Sequence, residues 1–477
     1  MPGVRDEKDF DSRLGRLEQA KSWSPRVISK LENLLRGDDE DALFRINPIT
    51  FATERNIAEA EAVDLFLHAT AAGLFTMNWQ LLCPKCSCVV ESFRNLSGVT
   101  SRFHCRLCQT DYEASMDELI AITFTVRPQI REVALHHPET LSAWDYFYKI
   151  GGTMDGRLPD GTPFVHIQQS LTKAAEFVGK GDTVDMAVDV AEGILFVANM
   201  EGKAALLCPL EGTASSDDQV VRVTLGEADV TRHAVKKLAP GRIVVRVENQ
   251  SSERGTIVLA LLPPGFEFGH APIAFRPFLT GKQLITTQAF RDLFRSEVIK
   301  RSEGLNIRDI TLLFTDLTGS TALYDRVGDL NAFSLVQQHF ARLQDVVARH
   351  DGAVIKTIGD AVMAAFMKPQ QAVAAALEMR EEMKDLNRDS SEEELVLKIG
   401  IHCGAAIAVT SNEQLDYFGQ TANIASRVQN LADAGEICLS QSVYDAEDVS
   451  VALGQDLRPE LVGVKGVSDG LRVYRVS

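Results

Sequence analysis

Residues 83–108, CPKCSCVVESFRNLSGVTSRFHCRLC, concentrate five of the chain's eight cysteines, and four of them form two Cys-x-x-Cys pairs. Each pair suits a tight turn that aims two thiolates at one point, and two such turns complete a tetrahedron around a soft-to-borderline cation. Cys83, Cys86, Cys105 and Cys108 would then fill every coordination position, so the expected Zn2+ is structural and residues 81–117 read as a zinc ribbon. Cys88 and His104 become neighbours of the site. The scattered Cys208, Cys403 and Cys438 read as core residues. Thiols and a metal, rather than disulfides, suit a reducing compartment. The opening MPGVRDEKDF is charged from the start and has neither a signal-peptide nor a transit-peptide pattern. With no run approaching the ~20 apolar residues of a membrane span, the expectation is a cytoplasmic protein without a membrane partner.

At 477 residues the chain has room for about three domains. Its formal net charge of −17 would repel a polyanion over most of the surface and argues against general nucleic-acid binding. Residues 1–80 read as helical. In AEAEAVDLFLHATAAGLF, Val63, Phe66, Leu67, Thr70 and Leu74 recur at helical spacing. With NPITFATERNI before it, this forms a small helix-turn-helix or winged-helix-like unit, for which the acidic balance favours a packing role over DNA binding. Over 118–265 the period changes to two, as in DTVDMAVDV and GRIVVRVEN, and ITFTV, ILFVAN, AALLCPL, QVVRVTL and TIVLALL follow suit between turn residues. An all-β sandwich is expected, either a spacer or a sensory module. Residues 266–305 form a connector, with Phe290, Leu293, Phe294 and Val298 on one helical face of TTQAFRDLFRSEVIKR.

Residues 306–477 alternate strands and helices in an α/β, ferredoxin-like order. ITLLFTDLTGST runs an apolar strand into Asp316 and a loop of small residues; LNAFSLVQQHFARLQDVVARHDG places Phe333, Val336, Phe340, Leu343 and Val347 at helical spacing; and AVIKTIGDAVMAAF reads as a hairpin with Lys356 and Asp360 near its tip. Two aspartates at strand ends suit a pair of hard cations, although either alone is as well explained as a cap or a turn residue. In FGQTANIASRV, Asn423 and Arg427 are four apart and share a helix face, an amide and a guanidinium suited to a sugar and a phosphate.

Four segments, LLFTDLTGST, IKTIGDAVMAAF, DYFGQTANIASR and VGVKG, resemble in order and spacing the catalytic domain of the class III nucleotidyl cyclases. The resemblance covers 306–477, and residues 1–265 are similar to the zinc-ribbon-bearing region found before some bacterial cyclase domains. It implies that Asp316 and Asp360 bind two Mg2+ or Mn2+ ions, and that backbone N–H groups of Leu317, Thr318, Gly319, Ser320 and Thr321 cradle the terminal phosphates. It further implies that Asn423 orients the ribose, Arg427 stabilises the pentavalent α-phosphate and Lys465 neutralises triphosphate charge. Adenylyl members resembling this chain carry a lysine and an aspartate against the base, here Lys356 and Asp416; an ammonium donates to adenine N1 and a carboxylate accepts from its N6 amine, the reverse of what guanine presents. The implied activity is conversion of ATP to cyclic AMP and pyrophosphate in a head-to-tail homodimer with active sites at the interface. Two alternatives stand beside it: a guanylyl cyclase, and a zinc-ribbon and helix-turn-helix regulator whose C-terminal domain senses nucleotide without catalysis. The N-terminal region would restrain or permit the dimer in response to an unassigned ligand or partner.

Overall fold

The computed structural model describes residues 3–477 except 106, 154, 203, 227–237, 268, 270–272, 320–324, 326, 327, 390–394, 455 and 464–469. Four helices open the chain: α1 (Glu7–Ala20), α2 (Val27–Arg36), α3 (Pro48–Arg55) and α4 (Glu59–Ala71). The Asp6 carboxylate caps α1 by accepting from the Lys8 and Asp9 N–H groups, and the Asn47 side chain caps α3 by accepting from Ile49 N–H. A DNA-reading helix needs a free face. α4 has Ala62, Val63, Leu65, Phe66, Leu67, Ala69 and Thr70 buried, with Phe66 against Phe51, Phe75 and Phe124 at ring separations of 5.1, 5.2 and 5.2 Å. So enclosed, α4 is a core helix, the packing role that the acidic balance favours for this unit.

The next strands are β1 (Phe75–Leu82), β2 (Val89–Phe93), β3 (Arg102–Cys105), β4 (Thr110–Glu113) and β5 (Ile120–Val126). β1 lies between β2 and β5, all antiparallel, and β3 pairs with β4. The ITFTV strand, expected in the sandwich, is therefore β5 of this earlier sheet. It is buried along its whole length and pairs with β1 rather than with a sandwich strand. The sandwich itself spans Thr172 to Leu262. One sheet takes the order 204–210, 193–199, 255–262, 172–178 and the other 219–225, 241–249, 183–190, and Val188, Val197, Val223, Val245 and Leu259 fill the space between them.

The connector forms two short helices, α5 (Gly281–Ile285) and α6 (Gln288–Leu293). The helix expected to continue past Val298 ends at Phe294, whose φ of −121° and ψ of 46° are not helical. Tertiary bonds take over from there: Ile299 N–H donates to Thr410 Oγ1 at 2.8 Å and Glu297 accepts from Leu96 N–H at 2.6 Å, which outweighs the propensity of a short helix.

The C-terminal domain is an eight-stranded sheet. Its elements are β6 (Leu305–Thr318), α7 (Asp329–Arg349), β7 (Ala353–Ile358), β8 (Ala361–Phe366), α8 (Pro369–Asp389), β9 (Val396–Ser411), β10 (Gln414–Phe418), α9 (Gln420–Asn430), β11 (Ile437–Ser440), β12 (Glu460–Val462) and β13 (Leu471–Val476). The strand order is β7-β8-β6-β9-β11-β13-β12, with β10 paired to β9. Strand alternation divides the sheet. Leu313, Leu317, Val362, Ala364 and Ile399 face α7 and α8, while Leu312, Phe314, Ile355, Met363, Ala406 and Tyr417 belong to the same continuous core as Trp79, Phe66 and Phe290. One face of the C-terminal sheet is thus sealed by the N-terminal region and the connector. Phe333, expected on the buried side of α7, is 58% exposed.

Candidate active site

Asp316 lies on β6, two and four positions beyond Phe314 and Leu312, so its side chain projects on the face turned toward the connector. β6 runs two residues past it: Leu317 and Thr318 pair with Leu397 and Val396, and the turn begins at Gly319, whose φ is +76°. Of the expected phosphate loop, Ser320 and Thr321 lie outside the described residues. Asp360 occupies the two-residue loop between β7 and β8, after Gly359 with φ +65°, the left-handed position such a hairpin assigns to glycine. Burial raises the Asp316 pKa first, the charge of Asp360 raises it further, and Lys398, its cross-strand neighbour, opposes both. Asp360 Oδ2 is buried without a hydrogen-bond partner. Two mutually repelling carboxylates with an orphaned oxygen are a donor set that fits a hard divalent cation.

Asn423 and Arg427 stand on α9, Asn423 exposed and Arg427 partly buried. α9 rests directly on β9 because Gly400 has no side chain: a Cβ there would come within 2.0 Å of Gln429 N. Lys356 on β7 and Asp416 on β10 meet, with Nζ 2.5 Å from Oδ2, and Asp416 Oδ1 accepts from Tyr417 N–H at 2.8 Å. Lys465 lies outside the described residues.

Several neighbours escaped the sequence reading. His339, fully buried on α7 near Asp360, has its pKa pulled down to about 4 by burial. His402 sits on β9 with Nδ1 2.8 Å from Ser440 Oγ, and burial likewise brings it down to about 4. Arg291 on α6 donates from Nη1 to Leu415 O at 2.8 Å, and Gln288 Oε1 accepts from Val354 N–H at 2.8 Å. The connector therefore grips both strands that carry Lys356 and Asp416. No periodicity reveals these contacts, because they depend on strand register.

His402 gives a pH prediction. A histidine near 4 in the folded state and about 6.5 unfolded binds more protons unfolded between those values, so its stabilisation is full above about 6.5 and is lost as pH falls toward 4. Up to about 3 kcal/mol is at stake, and His339 acts in the same direction. Chemical denaturation of His402→Gln across this range should show a flatter decline in stability than the parent chain.

The second polar cluster is the cysteine group. The Sγ atoms of Cys83, Cys86, Cys105 and Cys108 all lie within 4.8 Å of one another, with Cys83 and Cys108 3.5 Å apart and Cys86 and Cys105 3.6 Å apart, close to the ~3.8 Å edge of a tetrahedron with 2.3 Å metal–sulfur bonds. Each Cys-x-x-Cys turn is followed by a left-handed residue, Ser87 (φ 55°) or Gln109 (φ 52°), so the two knuckles mirror each other. Hydrogen bonding from Cys108 leads the causes that bring Cys105 down to about 4. Cys88 is a fifth sulfur, 3.3 Å from Cys86. Cys208 and Cys438 are buried core residues and Cys403 is partly buried. No helix among the described residues is long and apolar enough to cross a membrane.

Residues 304–471 match the family described as the adenylate and guanylate cyclase catalytic domain, and residues 8–292 match a family of unknown function, DUF5939. Adenylate cyclase 1 of Rhizobium meliloti (strain 1021) is 28% identical over 184 residues, which are 35% of this chain and 27% of the relative. Receptor-type adenylate cyclase GRESAG 4.1 of Trypanosoma brucei brucei is 26% identical over 213 residues, 35% of this chain and 17% of the relative. The chain thus spans about a quarter or less of the length of these curated relatives. Among solved structures, the adenylyl cyclase CyaB from P. aeruginosa aligns with a TM-score of 0.32 at 24% identity, over 37% of this chain and 96% of that one. By the match that spans more than half of its length, the chain belongs to the DUF5939 family, and it carries an adenylate and guanylate cyclase catalytic domain at its C-terminal end.

Proposed function

We propose that the protein is an adenylyl cyclase that converts ATP to 3′,5′-cyclic AMP and pyrophosphate. The observation that carries this reading is the Lys356–Asp416 pair, held at 2.5 Å: one donor and one acceptor side by side complement the N1 acceptor and the N6 amine of adenine. Asn423 and Arg427 project from one face of α9, where the amide holds the ribose and the guanidinium holds the α-phosphate as charge develops on it. Asp316 and Asp360 hold two Mg2+ or Mn2+ ions, which when bound lower the pKa of the ribose 3′-hydroxyl and offset charge on the phosphoryl oxygens. Leu317, Thr318, Gly319, Ser320, Thr321 and Lys465 receive the remaining phosphates.

The active assembly is a head-to-tail homodimer in which the aspartates of one chain face the base-reading pair of the other. Two large apolar side chains beside these groups support it: Ile358, two positions before Asp360, and Phe418, two positions after Asp416, are 51% and 69% exposed, an apolar rim suited to a second copy of the chain. The cysteine quartet holds a structural Zn2+. Cys105→Ser should then lose the metal, read by elemental analysis of the purified protein, at a stability cost of about 3 kcal/mol or more. The N-terminal region sets cyclase output through the connector, whose Arg291 and Gln288 hold the strands of Asp416 and Lys356.

The test is steady-state turnover of the full chain with ATP and with GTP in Mg2+ and in Mn2+. Cyclic AMP as the main product is expected. Cyclic GMP in excess would transfer the assignment to a guanylyl cyclase, and nucleotide binding with no cyclic product would favour the non-catalytic regulator.

A further inference from the structure

The sheet β2-β1-β5 has two unlike faces. Phe75, Met77, Trp79 and Leu81 of β1 join Ile122 and Phe124 of β5 in the apolar core. The opposite face carries polar side chains: Gln80 beside Ala121, and Asn78 beside Thr123. A polar sheet face ordinarily meets water. In this protein it is roofed by the chain from 41 to 55 and by Lys149, Gly152, Thr153 and Asp155, and Gln80 and Thr123 are only 3% and 6% exposed. Beneath the roof is a cavity of about 320 Å3, at the lower end of the ~300–1,000 Å3 typical of small-molecule sites. Its walls are largely apolar, with Phe51 and Leu135 among them.

Two features mark this cavity as built for an occupant. Gln80 Nε2 and Thr123 Oγ1 are buried in its lining without a hydrogen-bond partner, and buried polar groups are rarely left so. The lining holds three acids, Asp41, Glu54 and Asp155, and three bases, Arg45, Arg55 and Lys149, yet the bases are not equally partnered. Of the acids lining it, Asp41 pairs with Lys149 at 2.8 Å and Glu54 with Arg55 at 3.3 Å, and Asp155 lies in the field of Arg157 and Arg276. Arg45 has no carboxylate within ion-pair distance among the described residues. Its Nη1 donates only to backbone carbonyls, at 2.9 Å to Ile150, 3.3 Å to Gly152 and 3.4 Å to Lys149, and its backbone takes a left-handed φ of 52° to place it there. Burial lowers its pKa to about 10, the direction expected of a cation short of a counter-charge.

We propose that this cavity is a binding site for a small organic anion with an apolar body, its carboxylate held by Arg45 and its polar substituents by Gln80 and Thr123. The volume suits roughly a dozen non-hydrogen atoms at the packing density of protein interiors. The site belongs to the N-terminal region and does not depend on the nucleotide assigned to the C-terminal domain. Its position suits a sensor: the reverse face of β1 presents Trp79, whose ring is 6.1 Å from that of Phe290 on the connector.

Isothermal titration calorimetry on the full chain tests this with phenylpropionate, octanoate and benzoate, and with phenylpropionamide as the neutral isostere. At least one carboxylate should bind with a Kd below about 1 mM, and phenylpropionate should bind at least about tenfold more tightly than its amide. Thr123→Val and Gln80→Met each delete an unpaired polar atom and so should fold, while weakening the bound carboxylate by about tenfold. Arg45→Gln should erase the preference for the anion over the amide. The proposal is overturned if none of the three carboxylates binds by about 10 mM, or if anion and amide bind alike. It also falls if Thr123→Val and Gln80→Met raise the melting temperature and leave the binding heat unchanged, which is the behaviour of a hydrated packing defect.

Discussion

Asp360→Ala should lower cyclic AMP production by about a thousandfold or more while leaving the melting temperature within a few degrees of the parent chain. Metal-borne charge stabilisation in phosphoryl chemistry is worth several kcal/mol, and each ~1.4 kcal/mol is a factor of ten in rate. The fold should tolerate the change because Asp360 sits in a two-residue loop, where Gly359 rather than the aspartate supplies the left-handed turn. Its Oδ2 has no hydrogen bond to lose, and removing it relieves the repulsion that raises Asp316. A steady-state assay in Mg2+ and Mn2+, with a thermal melt beside it, reads both quantities. Activity within tenfold of the parent chain would remove Asp360 from the metal site and with it the two-cation mechanism.

Phe290→Ala should cost about 3–5 kcal/mol of stability, the range for an aromatic ring deleted from a packed core. Phe290 is fully buried on α6, edge-on to Trp79 at 6.1 Å and stacked on Phe294 at 5.7 Å, and it belongs to the one core that joins the N-terminal helices to the C-terminal sheet. The substitution therefore loosens the interface between the regions as well as the connector. If the connector sets cyclase output, turnover per folded molecule should change together with stability, since Arg291 and Gln288 on the same helix hold the backbone beside Asp416 and Lys356. Denaturant titration gives the first quantity, and turnover at a temperature well below the melt gives the second. A full loss of stability with unaltered turnover would make the connector a packing element only.

Legibility in the sequence followed the range of the interaction. The cysteine pairs were readable because two thiols three residues apart specify a local turn, and the structure brings the four sulfurs within 4.8 Å. The β7–β8 hairpin was readable because Gly359-Asp360 is a short-range turn signal. Sandwich strands could be recognised by their period of two, yet ITFTV has the same period and pairs with β1 instead, since periodicity identifies a strand without naming its partner. The connector helix was overextended for a related reason: its apolar spacing continues past Phe294, but the bonds of Glu297 and Ile299 to distant backbone and side chain stop it.

What the sequence determined by itself was the chemistry available: the carboxylates of Asp316 and Asp360, the amide and guanidinium four apart on α9, the ammonium and carboxylate of Lys356 and Asp416, and the thiol quartet. What only the tertiary structure decided was what each group faces. It placed Lys398 across from Asp316, closed the Lys356–Asp416 pair at 2.5 Å across sixty positions of sequence, and laid the connector on the sheet face that carries Asp316. It also roofed the polar side of β1 and β5 to leave Gln80 and Thr123 unpaired. Residue type sets what a side chain can donate, accept or hold, whereas strand register and the packing of distant segments set its partners, and a local pattern carries no information about those.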